Sequence, residues 1–200
     1  MPHPVHRAIV DGVARHGYAI VPDFLPLDEI AALRTRAIAG DDAGELTAAA
    51  VGRGARRTVD RAIRGDRIRW IDAAGATLAE HRLLAALDAL RAEVNRALQL
   101  GLFDLEAHYA IYPAGAGYAT HVDRFRDDDA RVLSLVLYLN DDWQDDDGGA
   151  LQLTLPDGSK VDVAPEGGTL VAFISDRFPH AVQPAARDRV SIAGWFRRRC

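Results

Sequence analysis

Apolar and polar residues follow two different periods in the two halves of the chain. In residues 3–16, 27–38 and 78–100, apolar residues recur at the spacing of one face of a helix. From residue 105 onward the period changes to two, which is typical of strands with one buried face. The strands predicted from this alternation are 105–112, 118–122, 132–139, 149–155, 159–163, 169–175, 179–183 and 189–197, with two earlier short strands at 17–21 and 68–71.

Turn sequences separate several of the later strands, for example Asp147–Gly149 and Pro165–Gly168. Short strands at this spacing, after a helical opening, favour an α+β fold in which helices pack on one side of a β-sandwich or jelly roll. Gly101 is predicted to end the third helix, because glycine suits the left-handed cap position. We predict a single domain over residues 1–200. Residues 1–104 would supply helical support and an arginine-rich loop, and residues 105–200 the jelly-roll core.

Composition narrows the class of protein further. An apolar content of 48% in 200 residues supports one sizeable core. The net charge of −5 argues against a general nucleic-acid binder, so no direct contact with nucleic acid is expected. The first residues lack the apolar stretch of a signal peptide, and no segment has the length of a membrane span. The single cysteine, Cys200, excludes an internal disulfide, so we expect a cytoplasmic protein.

A candidate metal site lies at the end of the predicted strand 118–122. His121 and Asp123 are separated by one residue, and residues at this spacing on an extended chain point to the same side. His180, on a later predicted strand, is the natural third ligand. Two histidines and one carboxylate form the ligand face that leaves positions open on Fe(II). A structural role for each histidine is the alternative, but the order of the three residues favours the metal.

The last predicted strand carries a candidate anion-binding residue. Alternation places Arg189, Ser191 and Trp195 on one face, opposite an apolar face. An arginine among buried strands needs an anion, because an unpaired buried charge is too costly. No neighbouring acidic residue obviously serves, whereas a carboxylate ligand would match the guanidinium fork. Tyr138 on the predicted strand 132–139 could add its hydroxyl to the same anion.

Together these segments resemble the Fe(II)- and 2-oxoglutarate-dependent oxygenases. The resemblance is greatest to the prolyl 4-hydroxylases of the EGL-nine (hypoxia-sensing) type and their bacterial relatives. It covers about the last hundred residues, and Ile63–Trp70 resembles the bacterial branch less tightly. The matching pieces are Tyr112-Pro113, Gly117–Asp123, Leu137–Asn140, Asp142-Trp143, Gly148–Leu151, and then His180, Arg189 and Trp195 at the offsets found in that family.

The resemblance implies a double-stranded β-helix (jelly roll) and a role for each matching residue. His121, Asp123 and His180 would bind Fe(II) and would be the catalytic residues. Arg189 would pair with the distal carboxylate of 2-oxoglutarate, and Tyr138 would hydrogen-bond to that carboxylate. The other residues predicted to line the cofactor pocket are Tyr112, Tyr118, Ser191 and Trp195.

The resemblance also implies a reaction, that of a prolyl 4-hydroxylase-like dioxygenase. Such an enzyme uses O2 and 2-oxoglutarate to hydroxylate a prolyl residue in a protein substrate and releases succinate and CO2, with ascorbate as an optional reductant. Two alternatives remain open. One is the same chemistry on a free amino acid or small metabolite, and the other is a jelly-roll module that binds a metal or sugar without turnover.

Residues 52–69 contain seven arginines in a chain that is acidic overall. A solvated loop is one interpretation of this segment. The family resemblance suggests another, in which a loop from this region closes over a peptide substrate. Its basic character would suit an acidic or nucleic-acid-associated protein, such as a part of the translation apparatus.

Overall fold

The computed structural model describes residues 3–50, 58–124 and 130–199. Within these ranges the helices are α1 (Pro4–His16), α2 (Leu27–Asp42) and α3 (Leu78–Leu98). The strands are β1 (Tyr18–Val21), β2 (Thr47–Ala48), β3 (Arg67–Trp70), β4 (Asp104–Tyr112), β5 (Tyr118–His121), β6 (Arg131–Tyr138), β7 (Leu151–Thr154), β8 (Lys160–Val163), β9 (Leu170–Ile174), β10 (His180–Val182) and β11 (Arg189–Arg197). In the same ranges, no helix is both long enough and apolar enough to cross a bilayer.

The strands form two antiparallel sheets that pack face to face. One sheet has seven strands in the order β1-β9-β6-β11-β4-β3-β2, and the other has four in the order β5-β10-β7-β8. This is the α+β jelly roll that the change of period predicted. The alternation missed β2, because two residues are too few to show a period of two.

The helices pack on the outer face of the seven-stranded sheet. Along β11, the alternate residues Val190, Ile192 and Phe196 are buried in the same apolar cluster as the helices. The helical residues of this cluster include Ile9, Val13, Ile30, Leu33, Leu83, Leu87, Leu90 and Val94. A one-residue slip of β11 would move its apolar side chains away from the helices, so burial determines the register of this strand.

Two helix ends differ from the prediction. The third helix ends at Leu98, and Gln99, rather than Gly101, is its left-handed cap with φ of 53°. The chain turns here because the Asn95 side chain donates to Leu102 O at 2.7 Å and accepts from Leu102 N at 2.8 Å. The second helix continues past residue 38 to Asp42, with Asp41 paired to Arg67 of β3.

The inner face of the seven-stranded sheet and the four-stranded sheet enclose a second apolar cluster. Its members include Tyr112, Tyr138 and Phe173 from the larger sheet and Leu151, Leu153 and Val182 from the smaller sheet. Beside this cluster lies an open cavity of about 500 Å³. Both the metal-ligand candidates and Arg189 line it, so the sandwich brings the two predicted sites into one space.

Candidate metal centre and anion-binding pocket

His121, Asp123 and His180 meet at one end of the cavity. Strand β5 ends at His121, and β10 begins at His180. Antiparallel pairing of these two strands places the Cα atoms of the two histidines opposite each other. One potential ligand atom from each of the three residues lies within 4.8 Å of the others. The arrangement could hold one metal ion through two imidazoles and one carboxylate.

Each histidine is oriented by a backbone carbonyl. Nδ1 of His121 lies 2.9 Å from Ala119 O, and Nδ1 of His180 lies 3.0 Å from Phe178 O. A carbonyl only accepts, so these contacts place the proton on Nδ1 and leave the Nε2 lone pair toward Asp123. Metal-bound histidines typically donate such a hydrogen bond from the ring nitrogen that does not bind the metal. This bond determines both the tautomer and the ring orientation.

Asp123 is buried between the two rings. Its Oδ1 lies 3.7 Å from His121 Nε2, and its Oδ2 lies 3.6 Å from His180 Nε2. Burial acts to raise the pKa of Asp123, but His180, His121 and the Ser134 hydroxyl together hold it below its usual value. The Trp195 indole acts in the same direction, although its buried Nε1 has no partner with hydrogen-bond geometry. The carboxyl is therefore ionised at neutral pH, as a ligand must be.

The electrostatics of His121 also suit metal binding. Burial, followed by the neighbouring His180, lowers the pKa of His121 to about 4. At neutral pH the ring is uncharged and its Nε2 is available as a ligand. Tyr118 stacks on the His121 ring, with ring centroids 3.6 Å apart and an angle of 19° between the planes.

Arg189 lies in the same cavity, fully buried on β11. Its Nε donates to Gly149 O at 2.9 Å, and its Nη1 donates to Ser191 Oγ at 3.3 Å. Its Nη2 is buried and has no hydrogen-bond partner among the described residues. No carboxylate of the described part of the chain forms an ion pair with this guanidinium. A buried positive charge whose N–H group has no partner among the described residues can bind an anionic ligand.

Two tyrosines flank the Arg189 guanidinium. Cζ of Arg189 lies 5.0 Å from the ring centroid of Tyr138 and 5.3 Å from that of Tyr112. Burial raises the pKa of Tyr138 to about 12, against the opposing effect of Arg189. The Tyr138 hydroxyl is also buried without a partner in the described ranges. The Arg189 Nη2 and the Tyr138 hydroxyl, both without a partner among the described residues, could donate to one carboxylate. These residues therefore suit 2-oxoglutarate.

The structure adds residues to this cavity that the sequence reasoning missed. His108 on β4 is buried, and its ring lies 4.9 Å from Trp70 and 5.5 Å from Trp195, centroid to centroid. Arg131 stacks on Trp195 with its Cζ 3.7 Å from the ring centroid. The period of two places His108 on the face of Tyr112, and this signal could have identified it.

Described residues of the arginine-rich segment form specific ion pairs. Residues 51–57 lie outside the described ranges, and three of the seven arginines lie there. The pairs are Arg64 with Asp66 at 2.7 Å, Arg67 with Asp41 at 2.7 Å, and Arg69 with Glu80. These three arginines are thus held by acidic groups of the chain itself. Arg64 also lies 4.9 Å from the Tyr118 ring centroid, behind the stack on His121.

The jelly roll and its two-histidine, one-carboxylate cluster define a class of oxygenase. Residues 107–197 match the model of the 2OG-Fe(II) oxygenase superfamily. A solved prolyl-4-hydroxylase of Pseudomonas putida is 48% identical, with a TM-score of 0.88 over 98% of this chain and 100% of that chain. The chain belongs to this superfamily, so the predicted family and the α+β double-stranded β-helix are confirmed. Fe(II) and 2-oxoglutarate are the metal and cosubstrate of the superfamily, as predicted.

Two other relatives are an Egl nine homolog and a solved prolyl hydroxylase. Human Egl nine homolog 1 is 32% identical over 197 residues, which cover 94% of this chain. The chain spans 45% of the length of that protein. A Trichoplax adhaerens prolyl hydroxylase is 28% identical with a TM-score of 0.86, over 96% of this chain and 88% of that one. It was solved in complex with a hypoxia inducible factor oxygen degradation domain peptide fragment.

Proposed function

We propose that this protein is an Fe(II)- and 2-oxoglutarate-dependent dioxygenase that hydroxylates a prolyl residue within a polypeptide. The observation that carries the proposal is one cavity with two complementary ends. At one end three potential ligand atoms lie within 4.8 Å of one another. At the other end the buried Arg189 has a donor without a partner among the described residues. A binding module for a metal or a sugar would not need this second end.

His121, Asp123 and His180 would hold the metal. The two backbone carbonyls that accept from the Nδ1 atoms keep both imidazoles in the tautomer that binds a metal. Tyr118, stacked on His121, restrains the ligand that is the more exposed of the two histidines. When bound, Fe(II) together with 2-oxoglutarate and O2 supplies the oxidation, and the protein supplies geometry and a dry, shaped site.

Arg189 and Tyr138 would anchor the distal carboxylate of 2-oxoglutarate. The free Nη2 and the Tyr138 hydroxyl would donate to it, and Ser191 holds the guanidinium by accepting from Nη1. Burial strengthens these charge-assisted bonds relative to bonds in water. Tyr112, packed against the guanidinium, limits its movement.

The mouth of the cavity is suited to a polypeptide. Three apolar side chains that line it remain well exposed, at 42% for Ile63, 46% for Trp70 and 39% for Val122. Exposed apolar groups clustered at a cavity are typical of a surface that is covered by a partner. The relationship to a hydroxylase solved with a peptide fragment adds to this view. In this proposal residues 1–200 act as a single catalytic domain.

The proposal is tested by coupling 2-oxoglutarate turnover to substrate. The purified chain with Fe(II) should convert 2-oxoglutarate to succinate faster with proline-containing peptides than with free proline, and the peptide should gain one oxygen atom by mass spectrometry. Comparison of the host proteome with and without the gene would identify the natural target, including any translation protein. Equal stimulation by free amino acids would favour the small-metabolite alternative. No succinate with any cell extract would favour a non-catalytic module.

A further inference from the structure

Two buried serines connect Asp123 to the larger sheet. Ser134 Oγ lies 2.7 Å from Asp123 Oδ2 and 2.9 Å from Ser175 Oγ. Ser134 is on β6 and is 1% exposed, while Ser175 follows β9 and is fully buried. The backbone of Ser175 donates to Val132 O at 3.1 Å, which ties it to the same pair of strands.

The direction of these hydrogen bonds follows from the single proton that each serine hydroxyl can donate. Ser134 Oγ donates to Asp123 Oδ2, and this bond uses the single proton of the Ser134 hydroxyl. The remaining contact therefore has Ser175 as donor and Ser134 Oγ as acceptor. Ser175 thus orients Ser134, and Ser134 in turn orients the carboxylate.

The two oxygens of Asp123 are not equivalent in this arrangement. Oδ2 accepts the Ser134 bond, whereas no hydrogen bond of ordinary geometry reaches Oδ1 from the described residues. We propose that Ser134, oriented by Ser175, is a positioning residue that engages Oδ2 and leaves Oδ1 as the only metal ligand of Asp123.

A single carboxylate ligand has a consequence for the open positions. With one atom from each of three residues, a bound metal ion would keep positions open for the cosubstrate and O2. A second carboxylate oxygen would occupy one of them. The inference rests on the proposed function only in that the site binds a metal.

The test is metal binding by the apoprotein, with Mn(II) as probe and no cosubstrate. Ser134→Ala should weaken Mn(II) binding roughly 10- to 100-fold, as loss of such an outer contact typically does. Ser175→Ala should weaken it less, and Ser134→Thr, which keeps the hydroxyl, should restore most of the affinity. Ser159→Ala is the matched control, because this serine outside the cavity donates to the carboxylate of Asp157 rather than to Asp123, and the variant should bind Mn(II) like the wild type.

A second readout reports the coordination itself. The absorption bands of the Co(II)-loaded protein should change in Ser134→Ala and stay unchanged in Ser159→Ala, because only the first change releases Asp123 Oδ2. Wild-type Mn(II) affinity or unchanged Co(II) bands in Ser134→Ala would overturn the assignment, as would a loss that threonine does not restore. If the wild-type chain binds neither ion, the proposed function fails instead. Circular dichroism of each variant separates these effects from misfolding.

Discussion

The two ends of the cavity differ in how far the protein satisfies its own polar groups. At the metal end, each histidine has a carbonyl partner at Nδ1, and Asp123 has a serine at Oδ2. At the anion end, Arg189 and Tyr138 each keep a buried donor without a partner in the described ranges. The groups of the first end are thus held by the protein itself, whereas those of the second keep donors to which an anion could bind.

This difference predicts different responses to substitution at the two ends. Changes at the metal end should remove a site that the protein has already built. Changes at the anion end should reduce ligand affinity, and some should relieve an unfavourable buried group in the ligand-free protein. Separate measurements of metal affinity, cosubstrate affinity and stability distinguish these responses.

The largest effect is expected for Asp123→Ala. The variant loses the only carboxylate of the cluster, and it should lose measurable metal binding and all 2-oxoglutarate turnover while it keeps its fold. Metal titration, a turnover assay and circular dichroism would check this. Asp162→Ala, an acidic residue on β8 that contacts Gln152, is the control and should behave like the wild type. Turnover by Asp123→Ala would contradict the ligand assignment.

An acid titration tests His108, a buried residue that lines the cavity. Burial, followed by the Arg64 guanidinium, lowers the pKa of His108 to about 4. Between pH 6.5 and 4 the unfolded chain therefore binds a proton at this residue that the folded chain does not. The free energy of unfolding should fall as the pH drops through that window and level off below it. His108 should account for roughly 3 kcal/mol of this loss in the free energy of unfolding.

Substitution of His108 isolates its contribution to the pH dependence of stability. Urea unfolding of metal-free His108→Gln at pH 6.5, 5 and 4 should show a shallower loss of stability than the wild type. His81→Gln, at an exposed position of α3, is the control. Parallel pH curves for wild type and His108→Gln would mean that His108 is protonated in the folded protein.

Arg189→Ala tests the anion end directly. Loss of a charge-assisted hydrogen-bonded pair, at about 1.5–3 kcal/mol, should weaken 2-oxoglutarate binding roughly 10- to 100-fold. Metal affinity measured without cosubstrate should stay within about twofold, because the two ends are built by different residues. Calorimetric titration measures both quantities, with the part-exposed Arg187→Ala as control. Unchanged cosubstrate affinity would remove Arg189 from its assigned role.

The smallest effect is expected for Tyr138→Phe, and its sign should depend on the ligand. In the ligand-free protein the change removes a buried hydroxyl that has no partner within residues 3–50, 58–124 and 130–199, so the melting temperature should stay the same or rise. With 2-oxoglutarate bound, the variant should lose about 1 kcal/mol, or roughly fivefold in affinity. Thermal melts with and without cosubstrate would measure both. A lower melting temperature without ligand would show that the hydroxyl has a partner in the protein.

Local patterns predicted much of this site. The period of two places Arg189 and Ser191 opposite the apolar face of β11, and both indeed face the cavity. The one-residue spacing of His121 and Asp123 directs both groups to one side of the chain. The later predicted strands supplied His180 and Tyr138, and the match to known motifs added Tyr112 and Tyr118. Gly101 was a wrong choice for the helix end, because the Asn95 side chain turns the chain earlier.

The sequence by itself determined which residues face inward, because alternation depends only on neighbouring positions and on the burial of one face. Only the tertiary structure decided which inward groups meet. Pairing of β10 with β5 brings His180 beside His121, and packing of β6 and β9 brings two serines behind Asp123. That no carboxylate of the described residues pairs with Arg189 is also a property of the assembled sandwich. Contacts between distant strands follow from sheet order, which no local period encodes.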